Sequence, residues 1–365
     1  YFESLPNEES VKFTKEIEPK TQDFERRWRK QSEKTVIHRI AVKDGKIDYE
    51  SEGEVPGRVL NQFSMDEYGN NFRIATTIGY ASTSEGEETS FNNVYVLDMD
   101  LDIVGKLEDL APGEKIYSAR FMGKRAYLVT FRNIDPLFVI DLSVPTNPEV
   151  LGKLKIPGYS DYLHPYDENH VIGLGKWTTD AKDRDFAYYQ GLKMSLFDVS
   201  DVTKPKEVAK YEIGDRGTDS YALHDHKAFL FDREKNLLVI PVLLAEIDPE
   251  QYSEIEDWQY GDYKFQGAYV FSVDKDNGFD LKGRVTHIED EETFLKSGYY
   301  YYDDDYSVKR SLYMGDILYT VSNKVIKMND LDDLEEINKV KLPYEREYYN
   351  GPYYARGGPE VVMVE

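Results

Sequence analysis

The stretch Leu137-Phe-Val-Ile-Asp141-Leu-Ser, followed by a Pro/Asn-bearing turn and then Glu149-Val-Leu-Gly-Lys-Leu, constrains the fold most, because its pattern recurs along the chain. An apolar run ends in an acid, the chain turns, and a second strand-like run follows. Looser copies run from Val94-Tyr-Val-Leu-Asp98 to Val104-Gly-Lys-Leu, from Met194-Ser-Leu-Phe-Asp198 to Val208-Ala-Lys-Tyr, from Ala268-Tyr-Val-Phe-Ser272 to Leu281-Lys-Gly-Arg, and from Val325-Ile-Lys-Met-Asn329 to Ile337-Asn-Lys-Val. A repeat of this kind fixes architecture far better than chemistry.

Each copy is preceded by a second pair of apolar runs, such as Tyr117-Ser-Ala-Arg-Phe-Met-Gly-Lys-Arg-Ala-Tyr-Leu-Val-Thr and Ser311-Leu-Tyr-Met-Gly-Asp-Ile-Leu-Tyr-Thr-Val. The unit therefore holds four strands, the content of a propeller blade rather than of a sandwich hairpin or a βαβ crossover. With thirty Tyr and seventeen Phe against three Trp, the core is aromatic and suits pleated surfaces. The expected fold is an all-β propeller of four-stranded blades over residues 35–365, five whole blades and a leading half. That half is Val36 to Val42 and Ile47 to Ser51, joined at Asp44-Gly45, a strong hairpin signal. Residues 1–34 read instead as a charged helical segment, whose sparse apolar points Val11, Ile17, Phe24 and Trp28 are expected to dock on the body, with a basic docking peptide at Arg26 to Lys30 as the alternative.

Asp and Glu number 69 against 45 Lys and Arg, a formal charge of −24, which disfavours nucleic acid and anionic lipid and leaves cationic partners open. The absence of Cys excludes disulfides, thiol nucleophiles and Cys-ligated metal. No apolar stretch approaches the roughly twenty residues of a membrane span, so direct insertion by this chain is not expected. The start, Tyr1-Phe-Glu-Ser, suggests a processed or excised chain with its targeting segment elsewhere.

Six longer stretches carry a family resemblance: Gly53 to Tyr68, Leu110 to Gly123, Asp135 to Ser143, Tyr162 to His170, Asp225 to Phe231 and Phe265 to Phe271. Over about Thr35 to Pro343 the chain resembles the archaeal and bacterial secreted β-propeller family distantly related to WD repeats. The resemblance implies secretion or a cell-surface location and no particular reaction. Its members usually carry further blades upstream, with a charged helical insertion of which residues 1–34 look like the tail. The implied partner is therefore a protein: the N-terminal blades of the same precursor, or another chain that completes the ring. The alternative is that this chain closes alone, using Pro359 to Glu365 as a late strand.

Positions at the channel end of successive inner strands converge in a propeller, which makes Asp66, Arg120, His164 and His224 the candidate ligand-binding residues. His224-Asp-His226 reads as two imidazoles on one strand face, with His164 and His170 in the preceding unit, but no complete metal set is read from the sequence. Asp98 to Asp102 and Asp274 to Gly278 space oxygen ligands as Ca²⁺ loops do, yet they lack the closing Glu, and the expected reading is tight turns with no cofactor, Ca²⁺ being the alternative. Tyr301, Tyr302, Asp303 and Asp304 form a candidate partner-binding loop or, equally, a flap over the next blade. Ser64, Ser118 and Ser220 lie near inner strands without a recognisable triad, and no P-loop, nucleophile elbow or zinc helix occurs. The expectation is a non-enzymatic binding or structural module working through acidic loops and a channel mouth. The competing reading is a channel-centred hydrolase or metal-dependent enzyme using Arg120, His164 and His224.

Overall fold

The computed structural model describes residues 7–80, 90–131, 135–180, 187–252, 254–297 and 305–344. After helix α1 (Asn7–Ser32), strands β1 (Lys34–Lys43) and β2 (Lys46–Pro56) form a two-stranded sheet. Five blades follow. Blade one holds β3 (Arg58–Val59), β4 (Met65–Tyr68), β5 (Asn71–Gly79), β6 (Ser90–Leu97) and β7 (Ile103–Leu110). Its β3 and β4 both pair with β5 and act as one inner strand, interrupted by a 3₁₀ turn at Gln62–Ser64. Blade two holds β8 (Lys115–Met122), β9 (Arg125–Phe131), β10 (Asp135–Asp141) and β11 (Glu149–Ile156). Blade three holds β12 (Tyr159–Asp167), β13 (His170–Asp180), β14 (Ala187–Asp198) and β15 (Lys206–Ile213). Blade four holds β16 (Leu230–Asp232), β17 (Leu237–Glu246), β18 (Asp262–Asp274) and β19 (Gly278–Val285). After a short helix α2 (Glu291–Ser297), blade five holds β20 (Arg310–Met314), β21 (Ile317–Val321), β22 (Val325–Asp330) and β23 (Glu336–Lys341). The expected count of five blades and a leading half is what the sheets show.

Second and third strands of blades one to four are largely apolar on both faces because each of these blades stacks against two neighbours. In β9, Ala126 and Leu128 pack toward blade one, while Tyr127 and Val129 pack toward blade three. Outermost strands have only one covered side, and β15 accordingly alternates exposed and half-buried residues. Five apolar clusters fill the five seams from the β1–β2 hairpin through blade five.

The recurring run-turn-run pattern is the third and fourth strand of each sheet, and it carries a bulge at one fixed place. The register slips after Val96↔Gly105, Val139↔Gly152, Leu196↔Ala209, Val270↔Gly283 and Met328↔Asn338. The β1–β2 hairpin slips in the same way after Arg39↔Ser51, so it is the outer half of a further blade. Small residues at this place let the next blade's turn come close. A Cβ on Gly105 would lie 2.0 Å from the Pro145 carbonyl oxygen, and one on Gly152 would lie 2.3 Å from that of Val202.

Helix α1 departs from expectation. Phe24 and Trp28 are 69% and 60% exposed, and Val11 and Ile17 are exposed too. The helix docks by its basic side: Arg26 pairs with Asp109 and lies 4.4 Å from the Phe91 ring, and Lys30 reaches Asp109 at 3.4 Å. Arg26 and Lys30 share a face one turn apart, and at about 100° per residue Phe24 and Trp28 fall on the other side.

Candidate functional site

An even number of strands per blade places the links between second and third strands, and the links between blades, at one end of the array. The hairpin turns within each strand pair gather at the other. The polar, acidic stretches 80–92, 178–190, 244–265 and 288–308, where the spacing between strands lengthens, all join strands across the first end, here the loop end. At the opposite turn end the links are short, as at Met122–Arg125, Asp167–His170 and Met314–Ile317.

The loop end is braced between insertions. Gln190 Nε2 donates to the Asp257 carbonyl at 2.8 Å. The Arg216 guanidinium stacks 4.5 Å from the Tyr260 ring and donates to the Tyr189 carbonyl at 3.0 Å. Below these lies an aromatic wall: Tyr159 packs on Tyr117, Phe131 and Tyr189 at ring separations of 4.7, 4.8 and 5.2 Å. Two bulged residues stand at the same level of adjacent inner strands, Tyr117 on β8 and Asp161 on β12. Burial pushes the Asp161 carboxyl up to about 7, against the pull of Lys176 and Lys115 and with a further push from Asp219. A half-buried carboxyl at a channel mouth whose proton is in play near neutral pH marks a candidate site.

Deeper in the channel the inner strands are tied together, with Ser118 Oγ donating to the Ser160 carbonyl at 2.6 Å and Arg120 Nε to that of Leu163 at 2.8 Å. Arg120 and His164 meet here, each two ladder pairs before its hairpin turn. The Arg120 guanidinium lies 4.0 Å from the Phe63 ring and 5.4 Å from that of Tyr162, and among the described residues its buried Nη2 has no hydrogen-bond partner. Burial lowers its pKa. His164 bonds the Tyr162 hydroxyl through Nδ1 at 3.0 Å and packs on Phe229 and Phe231. Burial, aided by Arg120, brings its pKa down to about 4, so the ring is neutral at pH 7.

Asp66 stands at the matching ladder position of blade one but is held by Arg73, whose Nε donates to it at 2.7 Å. His224 is exposed and outside this cluster. The segment 224–226 is not a strand: Ser220 and Asp225 cap two successive 3₁₀ turns, which replace most of the inner strand of blade four. It is His226 that reaches inward, 4.9 Å from the Phe63 ring. Tyr301, Tyr302, Asp303 and Asp304 lie outside the described residues. Asp161 had little signal in the sequence, since its position depends on a bulge, whereas His226 reads there as part of a strand face and its inward reach comes from a turn.

Among the described residues, no three His, Asp or Glu side chains gather as metal ligands. The carboxylates of Asp98 and Asp274 hold their own turns, accepting from the backbone N–H groups of Asp100 and Asp102 and of Asp276 and Asn277. The Ser118 and Ser220 hydroxyls donate to backbone carbonyls rather than to a His. A cleft of about 420 Å³ opens at the turn end between Gly123–Arg125 and Pro165–Asn169. Of the two acids that line it, Asp167 and Glu168, Asp167 is already engaged by His170 at 2.8 Å and Arg233 at 3.6 Å.

Sheet order, seams and the polarised loops define a β-propeller. A family model described as a beta propeller domain matches residues 9–334, and the chain belongs to that family. It is 36% identical over 349 residues to an uncharacterized protein of Methanocaldococcus jannaschii, covering 94% of this chain and 47% of that one. It is 32% identical over 339 residues to an uncharacterized protein of Archaeoglobus fulgidus, covering 93% and 44%. The chain thus spans somewhat less than half the length of these relatives. Among solved structures, apo AztD from Citrobacter koseri aligns with a TM-score of 0.40 at 12% identity, covering 84% of this chain and 72% of that one. Sqt1 from Saccharomyces cerevisiae aligns with a TM-score of 0.37 at 10% identity, covering 77% and 75%.

Proposed function

We propose that this chain is a non-catalytic binding module of the cell exterior, engaging a protein or surface polymer through its loop end, and that it is part of a larger propeller ring. The observation that carries the binding reading is the gathering of all four long insertions at one end, braced by Gln190 and Arg216. Loop-borne surface on a rigid scaffold is where binding residues concentrate. The exterior location rests on the resemblance to a secreted family, and the larger ring on the length of the relatives.

The test is site-specific photo-crosslinking in native cells. A photoreactive residue at Trp258, exposed at the loop end, should capture one recurrent extracellular macromolecule, whereas one at Tyr68, exposed at the turn end, should not. Equal capture from both ends, or capture only of intracellular material, would refute this function.

A further inference from the structure

Both ends of the blade array present sheet faces built as blade seams. In blade five, Leu312, Tyr319 and Met328 are cross-strand partners in one row, and Val321, Ile326 and Val340 form a second. Direct partners share a face. The opposite face, with Leu318, Thr320 and Val325, is buried toward blade four. Met314 on the outward face is 56% exposed. At the other end, the β1–β2 hairpin turns Val36, Ile40, Val42, Ile47 and Tyr49 outward, with Ile40 55% exposed. Among the described residues β1 pairs only with β2, so its second edge is unpaired. Exposed apolar sheet faces and open strand edges are association surfaces.

We infer that the hairpin is one half of a blade divided between this segment and the rest of a longer chain. One strand from that remainder pairs along the free edge of β1 and a second pairs with the first, and a further sheet of the same chain stacks on the Leu312–Met314 face of blade five. The inference rests on the larger-ring reading and deepens it by naming the surfaces. The β1–β2 bulge makes these strands the third and fourth of their blade, which leaves the first and second to be supplied. The relatives hold more than half their length outside the matched region, enough chain for the missing strands and further blades. A second copy of this chain fits less well: its own hairpin is a third-and-fourth pair, and pairing two such halves would join one free β1 edge to another. Asn338 replaces the Ser, Gly or Ala found at the bulge of the preceding sheets, so the sheet meeting blade five must place its turn farther out.

Because the chain has no Cys, single thiols report these surfaces cleanly. Met314→Cys and Ile40→Cys should react quickly with a maleimide in this chain alone, and about a hundredfold more slowly in the protein expressed from its complete reading frame. Val208→Cys, at an exposed site within the array, should react equally in both. Amide exchange of the unsubstituted protein should slow over residues 34–43 and 310–328 in the complete protein, independently of any effect of the Cys variants on folding. A complete protein that is longer but leaves both thiols reactive overturns the named surfaces while sparing the larger ring. A reading frame no longer than this chain overturns both. Protection that appears in this chain alone and fades on dilution assigns the faces to a second copy and also overturns the inference.

Discussion

At the scale of single residues, charge and space are set by burial. His287 is 2% exposed in the seam between blades four and five, bonded to Ser322 at 3.0 Å and Thr320 at 2.8 Å. Burial, with Lys327 nearby, brings its pKa down to about 4, as burial does for His164. Between pH 6.5 and 4 the unfolded chain binds protons at both rings that the native state refuses, so stability falls as pH falls through that window. Asp161 acts oppositely: with a native pKa of about 7 it holds a proton that the unfolded chain has released, so its contribution falls as pH rises from 4 to 7. Asp161→Asn should therefore steepen the acid loss of stability and His287→Asn should flatten it, both read from urea midpoints at stepped pH. Gly105→Ala drives a Cβ into the Pro145 carbonyl and should cost about 2–3 kcal/mol in the same assay. The convergence of Arg120 and His164 was legible in the sequence because repeats put equivalent residues at equivalent heights. The capture of Asp66 by Arg73 was not, since that pairing depends on side-chain reach within one blade.

At the scale of elements, the Asp-ended strand and its return were readable because they obey one pattern of alternation, turn and bulge. Blade four shows where that reading fails. Its inner strand shrinks to Leu230–Asp232, since Ser220 and Asp225 cap turns in place of a ladder, and a His spacing that suits a strand face then loses its meaning. Helix α1 fails differently, because periodicity finds an apolar stripe but cannot say that the basic side docks. Blade five has one packed seam where blades two, three and four have two. Amides of β21 should thus exchange with solvent sooner than those of β9 in this chain, and hydrogen-exchange mass spectrometry would show it. Equal protection would mean that the outward face of blade five contributes nothing to its stability.

For the whole molecule, charge is the dominant long-range term. A formal charge of −24 spread over a stacked array repels itself, and salt screens that repulsion within about 10 Å at 0.1 M. Raising NaCl from low to near-molar concentration should lift the thermal midpoint by several degrees, an outcome scanning fluorimetry can check; a flat response would show that local ion pairs already balance the field. The even strand count has a different reach. Since a blade begins and finishes at the same end, and blade two passes to blade three across only residues 157 and 158, a blade is a cassette. Duplicating or deleting one leaves the polarity of every other blade intact. A lineage can change the circumference of such a protein by whole units, keeping its recognition loops pointed the same way throughout.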